Sequence, residues 1–145
     1  MRFTPIALIA AALAAAAHAA VPNLREGMWE ITTKMQMTGQ SGVQMPQQTV
    51  RHCMTKMDVA NPRQVTPSAG LPDSRCKMTD YKLQGNTATW RMACAGDGAM
   101  TGSGTVTFRG DSYSGSQTMD MKRSGHVMNM KMEYSGRRTG DCPKK

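Results

Sequence analysis

The C-terminal half of the chain alternates. Between turn signals at Gly85-Asn86, Gly96-Asp97-Gly98, Gly110-Asp111 and Ser124-Gly125, nearly every second residue is apolar. A period of two marks strands with one face in a core and the other in water. Folding the chain back at each turn as an antiparallel hairpin brings all the registers into agreement. Cys76, Met78, Ala88, Trp90, Met92, Cys94, Met100, Val106, Phe108, Tyr113, Met119, Met121, Met128, Met130, Met132 and Tyr134 then share one side. From residue 101 on, the other side carries Thr, Ser, Asn and charged residues, among them Thr105, Ser114, Ser116, Lys131 and Glu133. A one-residue slip would turn the whole set over, so the agreement is a strong constraint. It predicts strands near 76–83, 87–94, 99–109, 112–122 and 127–135.

Upstream, Trp29 to Met37 alternates in the same way, Gly39 to Gly42 forms a turn, and Gln47 to Met54 reads as a second strand. Thr55 is followed three residues later by Asp58, the pattern of a helix N-terminus, and Pro62 keeps any helix there short. Asn61 to Ser74 holds three prolines and one glycine and reads as an ordered loop. Strict alternation from Cys76 also puts Asp80 and Lys82 on the apolar side, near a hairpin end where they reach solvent as a rim ion pair. A sheet with one oily face must cover it. The expected fold is all-β: a single small antiparallel meander curled into a barrel or half-barrel, calycin-like. It has about seven to eight strands, one short helix and two disulfides. Gly102, Gly104 and Gly115 fall on the inner face opposite large residues, which lets layers interdigitate.

The ends suggest export. Arg2, the short apolar run Ile6 to Ala17, and Ala17-His18-Ala19 make residues 1–19 a secretory signal peptide. Residues 20–145 are then one β domain, with no other stretch able to span a bilayer. All four cysteines lie in that part, without a Cys-x-x-Cys pair, which implies two disulfides in an oxidising compartment. The register sets Cys76 opposite Cys94 and leaves Cys53 with Cys142. The net charge of +8 falls to +7 once Arg2 leaves with the leader. The basic residues are scattered, apart from a cluster at Arg137, Arg138, Lys144 and Lys145, and carry no interleaved aromatics. They read as a solvated outer face, and as a contact surface they suit lipid headgroups or envelope polymers better than nucleic acid. The oligomeric state is left open.

Chemistry is sparse. Beyond the leader the histidines are His52, beside Cys53, and His126. No Gly-x-Ser-x-Gly elbow, His-Glu-x-x-His pair or phosphate-cradling loop occurs, so neither catalysis nor a cofactor is expected. The inner face offers a site for a small apolar ligand, formed by Trp90, Met92, Phe108, Tyr113, Met119, Met130 and Met132, with Arg138 at one mouth. Gly27-Met28-Trp29, capped by Arg138 through a cation–π contact, is similar to the Gly-x-Trp feature of lipocalin-type barrels. A second reading is copper: Met121 falls opposite Met128 and Met119 opposite Met130, with His126 nearby, and thioethers suit Cu(I). A third is a structural partner docking onto an envelope complex through a sheet edge.

The chain also resembles domain-of-unknown-function family 3617, small exported proteins of Gram-negative bacteria. The resemblance rests on Gly27-Met28-Trp29-Glu30, Cys53-Met54-Thr55, Cys76, Thr89-Trp90 through Cys94, Met100-Thr101-Gly102-Ser103-Gly104 and the closing Gly136-Arg137-Arg138-Thr139-Gly140-Asp141-Cys142. It implies a periplasmic protein with no established activity, and supplies no catalytic residues. The reading is therefore a non-enzymatic periplasmic or envelope protein.

Overall fold

The structure, a computed structural model, describes residues 22–38, 43–61, 63, 75–96, 99–123 and 125–144. The expected leader, the turn at Gly39–Gly42 and most of the proline-containing loop lie outside the described residues. The elements in chain order are β1 Gly27–Thr38, β2 Val43–Gln44, β3 Gln48–Met54, α1 Lys56–Ala60, β4 Cys76–Gln84, β5 Thr87–Cys94, β6 Met100–Phe108, β7 Ser112–Arg123 and β8 His126–Gly140.

All strands pair antiparallel. β4 to β8 form the expected meander, and β8 returns to lie beside β1. β2 and β3 line the outer edge of β1 one after the other, so the sheet is seven strands wide. The sequence registers hold at Cys76↔Cys94, Met119↔Met130 and Met121↔Met128. Burial follows the period of two, most cleanly in β5, where Ala88, Trp90, Met92 and Cys94 are buried between exposed neighbours.

Three features depart from the expectation. First, of the two expected forms the closed barrel is not seen: among the described residues no ladder joins β4 to β3, so the sheet is open. The edge strand β4 carries a bulge, a device that bends a strand and interrupts pairing. Second, that bulge reverses the alternation at Asp80. Thr79 pairs with Arg91 and Lys82 with Thr89, so Asp80 and Tyr81 together oppose Trp90. Asp80 adopts φ 52°, its side chain is mostly exposed toward Arg91, and Lys82 is exposed. Tyr81 and Leu83 take the inward places instead. Third, the last strand runs past the expected end near 135, through Gly136-Arg137-Arg138-Thr139-Gly140. Arg137 donates from Nε and Nη2 to the Glu30 carboxylate at 3.0 and 2.8 Å, and Thr139 donates to the Met28 carbonyl at 3.2 Å, which ties these residues to β1.

α1 begins as its sequence requires. The Thr55 hydroxyl accepts from the Asp58 N–H, and the Asp58 carboxylate accepts from the Thr55 N–H at 2.8 Å. The backbone bond from Thr55, then its hydroxyl, holds the Asp58 carboxyl below the usual aspartate range. Val59 packs onto the edge of the core. The disulfides are Cys53–Cys142 and Cys76–Cys94, as the register implied.

The apolar face is packed by rings laid over glycines. In three directly opposed pairs, Trp90↔Gly104, Tyr113↔Gly136 and Tyr134↔Gly115, the ring occupies the space of the missing side chain. A Cβ at Gly136 would lie 2.2 Å from Tyr113 Cε1, and one at Gly104 would lie 2.3 Å from Trp90 Cζ2. Neither ring has an easy retreat, because both are buried. Gly136→Ala is expected to cost about 1–3 kcal/mol by overpacking, seen as a lower urea midpoint with an unchanged m-value.

The tyrosines report the same packing. Burial pushes the Tyr113 phenol up to about 12, and raises Tyr134 further, helped by Tyr113 beside it. Burial also raises Tyr81, against the opposing pull of Arg63. Folded pKa values above the unfolded ones mean that the neutral rings favour the native state below the ordinary phenol range. That contribution is lost as pH rises past it. Tyrosinate absorbance should therefore not develop at about pH 10, the free-tyrosine value, but should rise at higher pH together with loss of the near-UV circular dichroism.

Candidate functional site

The inner face divides into two halves. At the end where β1 begins, Trp29, Trp90, Phe108, Tyr113 and Tyr134 form one cluster with Val106, Ala88, Met54 and Leu24. Trp29 is fully buried, its Nε1 donates to the Arg25 carbonyl at 3.0 Å, and its ring centroid lies 5.5 Å from that of Tyr113. Tyr134 donates to the Thr105 carbonyl at 2.8 Å. This half is a packed core.

The opposite end is built of thioethers. The registers set rows of side chains across the strands. One row runs Met37, Met130, Met119, Gly102, Met92, Met78 from β1 to β4. The next runs Met128, Met121, Met100, Cys94, Cys76. Met92 and Met119 converge over Gly102: a Cβ there would meet their Cγ atoms at 3.3 and 3.0 Å. These two are buried at 3% and 8% exposure, whereas Met100, Met130 and Met132 around them are half-buried and Met128 is exposed at 38%. Burial thus grades from a closed centre to an open rim.

A polar point sits where the halves meet. The row Met35, Met132, Gln117, Gly104, Trp90 crosses the sheet there. Gln117 is 3% exposed and donates from Nε2 to the Met92 sulfur at 3.0 Å. Beside it, Trp90 is 2% exposed.

The sequence-derived ligand residues therefore fall in three places. Trp90, Phe108 and Tyr113 belong to the aromatic half; Met92, Met119, Met130 and Met132 belong to the methionine half. Arg138 lies at the far end. It opposes Trp29 in the ladder, but its Nε donates to the Glu26 carbonyl at 2.7 Å and its Nη2 to the Asp141 carboxylate, while its guanidinium lies over Gly27. Among the described residues the cation–π contact formed is Arg63 over Tyr81, at 4.9 Å. The thioethers Met119, Met121, Met128 and Met130 stand as two opposed pairs, and His126 opposes Arg123 on the same face, next along from Met128. The period of two sets Gln117 on this face, two residues from Met119, whereas the bulge hides Tyr81 from such a count.

Two cavities lie off this face. A trough of about 400 Å³ on the polar side is lined by Thr32, Lys34, Thr105, Ser114, Ser116 and Glu133. A cleft of about 480 Å³ between α1 and the end of β8 is lined by Arg25, Glu26, Lys56, Val59, Arg138 and Asp141, with Lys56 3.9 Å from Glu26.

Residues 24–142 match the family described as "Protein of unknown function (DUF3617)". The chain belongs to this family. In this DUF3617 member the matched span runs from Leu24, bridged to Gly110, to Cys142, and so takes in the whole sheet and both disulfides. Comparison with curated proteins and with solved structures found no match. The family description carries no activity, which leaves the geometry of the face as the guide to function.

Proposed function

We propose that this DUF3617 protein is a non-enzymatic, exported envelope protein that binds a small apolar ligand on the methionine half of a half-barrel sheet. The observation that carries the reading is the graded burial of that half, from Met92 and Met119 inside to Met128 at the rim. A core that served packing alone would gain from closing over its apolar side chains. Methionine is unbranched and polarizable, and suits a surface that reshapes around what it holds. The two disulfides fit an oxidising compartment, in keeping with the leader-like N-terminus. Native mass spectrometry of protein purified from its own source without refolding tests this. The expected result is an adduct in the lipid mass range that organic extraction removes. A bare polypeptide mass under the same gentle conditions contradicts it.

A second reading has its own support. Met119 opposite Met130 and Met121 opposite Met128, with His126 on the same face, is a soft donor set of the kind that suits Cu(I). On this reading a chelator competition gives affinity tighter than micromolar, and Met119→Leu with Met130→Leu removes it while conserving core volume. No competition at micromolar protein ends this alternative.

A further inference from the structure

Among the described residues, two buried side-chain donors have no partner: Trp90 Nε1 and the Tyr81 hydroxyl. Native interiors seldom leave such groups unpaired, and each exception calls for an explanation. The contrast within this molecule sharpens the point, since Trp29 Nε1 and the Tyr134 hydroxyl each donate to a backbone carbonyl. The two orphans are also neighbours in the ladder. The bulge sets Asp80 and Tyr81 together opposite Trp90, and both rings join the same cluster. Bulges re-aim side chains; this one takes Asp80 outward and delivers a phenol to the inner face. The position matters too. The Trp90 ring lies over Gly104, one place from Gln117, whose Nε2 donates to the Met92 sulfur. Two unpartnered donors thus lie on the side of the aromatic half that faces the methionine half.

We infer that Trp90 is the polar anchor of the apolar-ligand site: its indole N–H donates to a carbonyl oxygen on the ligand. The ligand class is then an acyl ester, a hydrocarbon chain lying along the methionine rows with its neutral carbonyl at Trp90. A carboxylate at Trp90 is disfavoured, because a bare charge is costly to bury against an indole N–H that carries no charge. Tyr81 is a second donor for the same ester group. This rests on the apolar-ligand reading and adds the head-group chemistry to it.

The test compares methyl octanoate with decane, its chain-length match, on the whole folded protein. Indole N–H resonances and affinities are measured by NMR titration. The ester should bind about tenfold more tightly, the worth of one buried hydrogen bond. It should move the Trp90 indole signal and leave that of Trp29 in place. Trp90→Phe, which keeps a ring but loses the N–H, should equalise the two probes; if that variant does not fold, the wild-type indole shift decides. Equal affinities with a stationary Trp90 signal overturn the anchor and leave the apolar-ligand reading intact. Failure of both probes to bind overturns both.

Discussion

Trp29→Ala is expected to lower the unfolding free energy by about 3–5 kcal/mol, the usual cost of emptying a large aromatic site. For a chain this small that is a large share of the total. The site is a demanding one. Trp29 is fully buried, packs tilted against Tyr113 with ring centroids 5.5 Å apart, and fills the point where β1 meets the bulged start of its ladder with β8. Little can collapse into the gap, since the Tyr113 ring is already seated on Gly136. Its indole bond to Arg25 also holds the segment before β1, where Gly110 donates to the Asn23 carbonyl at 2.7 Å and Arg25 donates to the Gly110 carbonyl at 3.2 Å. Trp29→Phe separates the two roles. It should restore most of the packing and lose roughly 1–2 kcal/mol for the unpaired Arg25 carbonyl. Urea unfolding followed by near-UV circular dichroism measures both.

The two disulfides should differ in a definite order. Cys53–Cys142 closes a span of 89 residues and joins β3 to the end of the chain, across β1. Cys76–Cys94 closes only 18 within one hairpin. By loop-closure entropy the first is worth about 4.5 kcal/mol and the second about 3 kcal/mol, both as upper figures. Replacing Cys53 and Cys142 together by serine should therefore lower the midpoint more than replacing Cys76 and Cys94. The second pair also sits in the methionine row beside Met100, so its loss should disturb that half locally. Equal losses from the two double variants would mean that the long loop is already restrained in the unfolded chain.

Much of the fold was legible because alternation and turns act locally. Cys76 opposite Cys94 follows from one hairpin loop, and the Thr55–Asp58 cap follows from two residues three apart. The long-range parts were less visible. Nothing in Arg137 or Arg138 alone says strand; they stay in β8 because Glu30 and Glu26 on the neighbouring segment receive them. The expected ring contact of Arg138 lost to hydrogen bonds with the Glu26 carbonyl and the Asp141 carboxylate, since a guanidinium satisfies its donors first with oxygens in reach. The bulge was the costliest omission. One extra residue at Asp80 swaps which face Asp80, Tyr81 and Lys82 occupy, and a period count cannot register it unless the break is sought. The thioether rows followed directly from parity, whereas the pairing of β1 with β8 that adds Met35 and Met37 to them needed the structure.

The most direct measurement is a titration of methyl-labelled methionine with methyl octanoate, followed by NMR. The account predicts saturable shifts of the Met92, Met119, Met130 and Met132 methyls, while Met45 and Met57, exposed at 44% and 80%, stay in place. Methyls of the buried pair that never move, or shifts spread evenly over exposed and buried methionines, would contradict it.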